Sequence, residues 1–163
     1  MAEEKIGAVL VVGGGVSGIQ AALDIADFGF KVYLIDHSPS IGGVMAKLDK
    51  TFPTNDCSMC ILAPKLVEAG RHPNITVISN AEITGLSGKA GNFQVKILKR
   101  SRYINEEKCN GCGLCAQKCP VEAVDAYNKG LSDRSAIHIE YPQAVPLKLS
   151  LIHISEPTRQ AEI

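Results

Sequence analysis

The chain has no surplus of charge. Over 163 residues, 17 Lys and Arg balance 17 Asp and Glu, and no basic run stands out. Nucleic acid is therefore not an expected partner, because binding it needs a clustered positive surface. Long apolar runs are missing as well: the longest are strand-sized, which leaves no membrane span. The opening Met1-Ala2-Glu3-Glu4-Lys5 is charged and lacks the apolar core of a secretory signal, which points to a cytoplasmic protein. There is no low-complexity tract, and 45 % of the residues are hydrophobic, so a packed core is expected. None of His37, His72, His138 and His153 falls in a metal-ligand or triad pattern, and each reads as a surface or loop histidine. The length suits one ordinary domain, or one domain with a small insert. What the sequence does have is six cysteines, which in a cytoplasmic chain suggest metal or redox chemistry rather than structural disulfides.

The stretch that organises the chain is residues 8–36. Residues 8–12, AVLVV, are apolar with no polar face, as expected of a strand buried on both sides of a parallel sheet. The run Gly13-Gly14-Gly15-Val16-Ser17-Gly18 follows and matches G-x-G-x-x-G at Gly13, Gly15 and Gly18. In that motif the first glycine makes a tight turn, the second admits a diphosphate to the backbone, and the third lets the helix pack close to the strand. The helix N-terminus then turns unsatisfied N–H groups towards the diphosphate. Ile19, Ala22, Leu23 and Ala26 recur at helical spacing, Gly29 is placed to end the helix, and residues 31–35 read as a second strand. Asp36 follows that strand, 18 residues past Gly18, where a carboxylate can accept hydrogen bonds from a ribose. A βαβ unit whose glycines serve packing alone would not need the acid in register, so a dinucleotide site is expected. The acid does not choose between FAD and NAD. The pair Gly42-Gly43 just past the second strand resembles that of FAD-binding Rossmann domains, and FAD is the expected cofactor.

Residues 44–48 suggest a short helix, and 51–56 a loop by their turn residues. Cys57-Ser58-Met59-Cys60 is a C-x-x-C pair, followed by a helix over 61–69 in which Pro64 is tolerable near the first turn and Gly70 is the stop. The pair has two functional readings, a redox dithiol or part of a metal ligand set, against two idle buried thiols. Residues 75–79 read as a third parallel strand. Residues 82–86 and 93–99 read as a hairpin joined through 88–92, with one face buried by the alternation of Phe93, Val95 and Ile97.

The strongest signal is Cys109, Cys112, Cys115 and Cys119, spaced C-x2-C-x2-C-x3-C-P, the ferredoxin run for a [4Fe–4S] cluster. Gly111 and Gly113 let the loop wrap closely. Either Cys119 serves the same cluster as the other three, or it joins a second one. Zinc ribbons set their two cysteine pairs much farther apart. Residues 121–126 are expected as a short helical turn, 125–134 as polar loop and 136–141 as a strand.

These segments, with residues 141–148 (YPQAVPLK), resemble the A-type subunit of heterodisulfide reductase, in its N-terminal portion, over about residues 5–148. The resemblance implies an α/β fold: a Rossmann-type FAD-binding parallel sheet with an inserted ferredoxin-like [4Fe–4S] module. It implies FAD on Gly13, Gly15, Gly18 and Asp36, with Gly14, Gly42 and Gly43 alongside, and a cluster on Cys109, Cys112, Cys115 and Cys119. A second cluster would draw on Cys57 and Cys60. No catalytic acid or base is expected here, because in that family disulfide reduction, in methanogens of the mixed disulfide of coenzymes M and B, belongs to a partner subunit. The implied partners are subunits of the B and C type and an electron-donating hydrogenase or dehydrogenase, working by flavin-based electron bifurcation. The expected organisation is an FAD-binding portion over 1–102, the insert over 103–128, a return towards the FAD domain over 129–148, and a non-native tail over 149–163. Two other functions stand beside this one: a flavin disulfide reductase acting through Cys57 and Cys60, and a non-catalytic electron-transfer or docking subunit.

Overall fold

The computed structural model describes residues 7–151, which form two compact units, one running up to Arg100 and the other from Ser101. His153 and the remainder of the tail expected from 149 lie outside the described residues.

In chain order the first unit contains β1 (Ala8–Val12), α1 (Val16–Asp27), β2 (Lys31–Ile35), a 3-10 turn (Gly43–Lys47), β3 (Lys50–Thr51) and β4 (Asp56–Cys57). It continues with α2 (Ser58–Arg71), β5 (Ile75–Ile78), β6 (Ala81–Lys89) and β7 (Asn92–Lys99). β1, β2 and β5 make a parallel sheet with β2 in the middle, Val9 opposite Val32 and Leu34 opposite Val77. The α/β class expected from the sequence is therefore present. Ile19, Ala22, Leu23 and Ala26 form the buried stripe of α1, and Leu62, Leu66 and Ala69 that of α2. Both helices pack on the sheet and on each other. Each of these aliphatic side chains contributes about 1.5–3 kcal/mol by leaving water, less for the alanines.

β1 departs from the expectation of a strand buried on both sides: Ala8 is exposed and Val12 is 64 % exposed. It is an edge strand of the three, paired with β2 alone and packed against α1, and it has no strand on its other edge among the described residues. The expected loop over 51–56 is a turn closed by the two short strands β3 and β4, which pair Lys50 with Cys57. α2 begins at Ser58 rather than at 61, and Pro64 lies inside it. Proline has no N–H to donate to the Cys60 carbonyl, yet the buried Leu62 and Leu66 hold the helix through that missing bond. Gly70 is not the stop. His72 leaves the helix at φ −65°, ψ 127°, because Pro73 disfavours helical backbone in the residue before it.

The hairpin is longer than expected, and its turn is Ala90-Gly91 alone, with Gly91 at φ +84°. Its expected buried face does not exist in this unit. Phe93 is 57 % exposed and Ile97 39 %, because a two-stranded ribbon with no layer against it cannot cover either face.

The second unit holds α3 (Leu114–Gln117), β8 (Glu122–Val124) and β9 (Asp133–Ser135). The expected helical turn over 121–126 is instead strand β8, which pairs with β9. Tertiary pairing overrides the local pattern. Asp125 closes the connecting loop by accepting from the Tyr127 N–H, and Gly130 takes the left-handed backbone that the loop requires. The expected strand over 136–141 is reduced to one antiparallel bridge between His138 and Ser150. Residues 136–151 pack back onto the second unit: Ala136 donates its N–H to Val121 O, and Leu151 donates to Arg102 O.

Candidate flavin and iron–sulfur sites

The glycine turn sits at the C-terminal end of β1. Gly13 holds φ +98° and donates its N–H to Ile35 O at 2.7 Å, tying the end of β1 to the end of β2. Gly15 precedes α1, and the first helical bond is Ile19 N–H to Gly15 O at 2.9 Å. The amides of Val16, Ser17 and Gly18 thus lie ahead of the helical ladder, and no acidic side chain occupies that first turn. Each glycine has its own reason. A β-carbon on Gly18 would stand 1.9 Å from Gly13 O, so only glycine lets the helix approach the strand. A β-carbon on Gly15 would meet nothing within 4 Å, which leaves open space over the turn. A diphosphate requires that combination of open backbone and outward N–H groups.

Gly14 is not open. Its β-carbon would lie 2.4 Å from Cγ2 of Ile41, and its N–H donates to Oδ2 of the buried Asp36. Asp36 also accepts from the Ser38 N–H, through Oδ1 at 2.7 Å. The expected ribose acid is thus also the clamp of the glycine turn, and its two oxygens keep further lone pairs for a ligand. Gly42 and Gly43 join the same structure. Gly42 donates to Gly14 O at 2.7 Å, and a β-carbon on Gly43 would come within 3.0 Å of Gly15 Cα. Gly13, Gly14, Gly15, Gly18, Asp36, Gly42 and Gly43 are therefore brought together as one contiguous cluster. The motif spacing locates these residues; the Asp36–Gly14 bond is not visible in it.

Cys57 caps the N-terminus of α2, its Sγ accepting from the Cys60 N–H at 3.2 Å, and the two exposed cysteines are joined as a disulfide. Ser58, fully buried between them, donates its hydroxyl to Leu48 O and so fixes the start of the helix.

In the second unit Cys109 and Cys119 are half-buried, Cys112 and Cys115 are exposed, and all four are free thiols. Gly111 at φ +74° and Gly113 at φ +78° bend the loop, and Asn110 accepts from the Cys112 N–H at 3.1 Å. Backbone hydrogen bonds, the strongest at Ile137 and the next at Val121, hold the Cys119 thiol below its ordinary value, which favours the thiolate that binds iron. Among the described residues no group of three or more His, Cys, Asp or Glu side chains is gathered to hold a single metal ion. A cubane takes one thiolate on each of four irons, so its ligands stand farther apart than those of one ion. The donor set, four soft thiolates on a glycine-bent loop, fits that cluster.

His138 is a correction. It is only 7 % exposed, not a surface residue, with Nδ1 3.2 Å from Ala136 O and Nε2 3.7 Å from Glu140. Arg134, also largely buried, lies 3.5 Å from Asp125. Burial lowers the pKa of Arg134, with Glu140 and Asp125 opposing, and burial first, then Glu140 and Asp125, raises that of Tyr127. Residues 145–148 also matter: Leu147 packs on Gly111, and Lys148 donates to the Cys109 carbonyl. No sequence pattern points to either contact.

Residues 8–58 match the family of FAD-dependent oxidoreductases, and residues 102–125 match the 4Fe-4S binding domain. The chain is 59 % identical over 137 residues to the second iron-sulfur A-type subunit of CoB--CoM heterodisulfide reductase from Methanopyrus kandleri, covering 84 % of this chain and 21 % of that protein. It is 57 % identical over 138 residues to the A-type subunit of the H(2):CoB-CoM heterodisulfide,ferredoxin reductase of Methanothermobacter marburgensis, covering 85 % and 21 %. A protein of Archaeoglobus profundus, described as like the heterodisulfide reductase A-type subunit, is 56 % identical over 142 residues, covering 86 % and 20 %. The chain therefore spans about a fifth of the length of the curated relatives it matches. These matches support FAD and a [4Fe–4S] cluster as cofactors, over spans that include the glycine turn and the cysteine loop. Over about 85 % of its length, the chain is similar to about a fifth of each of these heterodisulfide reductase A-type subunits.

Proposed function

We propose that this chain is the flavin- and cluster-bearing part of an oxidoreductase subunit that moves electrons within a heterodisulfide reductase-type complex. The observation that carries the reading is the presence, in one chain, of an open glycine turn clamped by Asp36 and a separate loop of four free thiols. Bound FAD supplies exchange between electron pairs and single electrons, and a bound cluster supplies one-electron steps. The residues bind and orient. The amides of α1's first turn face the diphosphate, Asp36 holds the turn and reaches the ribose, and Gly42 and Gly43 close the turn from the side. Cys109, Cys112, Cys115 and Cys119 ligate the cluster. No side chain here is assigned as a catalytic acid or base. In the complete assembly, subunits of the B and C type would reduce the disulfide CoM-S-S-CoB. A hydrogenase or dehydrogenase would supply the electrons, with bifurcation at the flavin. We place the assembly in the cytoplasm; among the described residues no helix is long and apolar enough to cross a membrane.

The Cys57–Cys60 disulfide favours a second reading, a flavin disulfide reductase. The disulfide would accept two electrons and one proton, leaving Cys60 as a thiol and Cys57 as a thiolate stabilised at the N-terminus of α2.

The test is anaerobic isolation of the complete gene product, with flavin, iron, sulfide and zinc measured together. FAD with iron and sulfide in cluster proportion is expected. Zinc without iron, or NAD retained in place of flavin, would overturn the reading.

A further inference from the structure

Lys148 is placed with unusual definition for a lysine. Its own N–H donates to Pro146 O at 2.9 Å, and two residues on, Ser150 exchanges both backbone hydrogen bonds with His138. Leu149 and Ser150 are buried, and Leu147 on the other side lies so close to Gly111 that a β-carbon there would meet Leu147 Cγ at 2.9 Å. The segment is therefore anchored on the cysteine loop through Leu147, immediately before Lys148. From this position the half-buried ammonium donates to the Cys109 carbonyl at 2.5 Å. Among the described residues no carboxylate lies within ion-pair distance of Lys148. Its charge thus acts on the backbone of a candidate cluster ligand with no counter-ion among the described residues. The neighbouring cation Arg102 differs: it is fully buried and faces Glu106 at 3.8 Å.

We propose that Lys148 raises the reduction potential of the cluster on the cysteine loop, by holding an uncompensated positive charge on the Cys109 carbonyl. The proposal rests on the cluster reading above. Reduction adds one electron, and hence one negative charge, to the cluster. A fixed cation in a partly desolvated position stabilises that charge more than it stabilises the oxidised form. Lys148 is thus an electrostatic tuning residue, not a ligand.

The test uses the full chain, reconstituted anaerobically with iron and sulfide, and follows the reduced-cluster signal by electron paramagnetic resonance in a potentiometric titration. Three variants are compared: Lys148→Met removes charge and hydrogen bond, Lys148→Gln keeps a donor without charge, and Lys148→Arg keeps both. At the unsubstituted midpoint, Met and Gln should raise the oxidised-to-reduced ratio about threefold or more, while Arg stays near the original value. An unchanged midpoint in Lys148→Gln at full iron content overturns the proposal. So does loss of the cluster from all three variants, which would make Lys148 a folding residue. Absence of any [4Fe–4S] signal in the unsubstituted chain would instead remove the cluster reading itself.

Discussion

Oδ2 of Asp36 accepts the N–H of Gly14 across 22 residues of chain, so the acid after the second strand holds the middle of the glycine turn after the first. A ribose acid would only need to face outward. This one is buried, and it also accepts from the Ser38 N–H. In the proposed flavin site, binding of nucleotide and integrity of the turn would be carried by the same carboxylate.

Asp36→Ala should for that reason weaken the fold as well as the flavin site. Two backbone donors lose their partner, a loss of about 1–3 kcal/mol for each one left buried and unsatisfied. Asp36→Asn, which keeps an acceptor oxygen, should cost less. Urea unfolding of the flavin-free chain measures this directly, and equal midpoints for the unsubstituted chain and Asp36→Ala would show that the clamp contributes nothing.

Gly15 and Gly18 separate binding from packing. At Gly15, φ is −75° and a β-carbon meets nothing, so Gly15→Val should leave stability almost unchanged while filling the space a diphosphate needs. At Gly18 even Ala places a β-carbon 1.9 Å from Gly13 O, and backbone must move. A destabilisation of about 1–3 kcal/mol is expected there, together with loss of flavin. Thermal unfolding and flavin content, measured on both variants, should show flavin lost in each and stability lost only in Gly18→Ala.

What can be read from the sequence follows from how local each signal is. The first strand, its turn, helix α1 with its stripe of Ile19, Ala22, Leu23 and Ala26, and strand β2 are all legible, because periodicity and motif spacing are local properties. At the end of α2 two local signals compete: Gly70 suggests a stop, but Pro73 sets it, by acting on the backbone of His72. Residues 121–126 mislead, because a Val-Glu-Ala-Val segment becomes strand only through its pairing with Asp133–Ser135. The contacts of Leu147 with Gly111 and of Lys148 with Cys109 join residues far apart in the chain, and no spacing rule reaches them.

Cys112→Ser tests the cysteine loop itself. Cys112 is exposed and its backbone N–H is already taken by Asn110, so the substitution should leave the fold of the second unit intact. A serine oxygen is a harder and poorer ligand for iron than thiolate. The reduced [4Fe–4S] resonance should disappear or fall severalfold, with circular dichroism of the iron-free protein unchanged. Retention of the full signal would mean that Cys112 is not a ligand.

The pair Cys57 and Cys60 carries the most open question. Its position argues both ways. Capping of α2 by Cys57 favours a thiolate, which serves a redox disulfide and an iron ligand equally. The disulfide in the structure supports the redox reading, and it shows that the two sulfurs can meet without distorting the helix start that Ser58 anchors. Against it, a second cluster would need such exposed thiolates, completed by two further ligands. We therefore keep cluster ligation as the expected outcome in the complete gene product. There, Cys57→Ala combined with Cys60→Ala should lower the iron content by about one cluster, roughly four irons, and leave the Cys109 loop signal in place. If the iron content is unchanged and the variant instead loses a two-electron thiol titration, the pair is a dithiol, and the disulfide reductase reading takes its place.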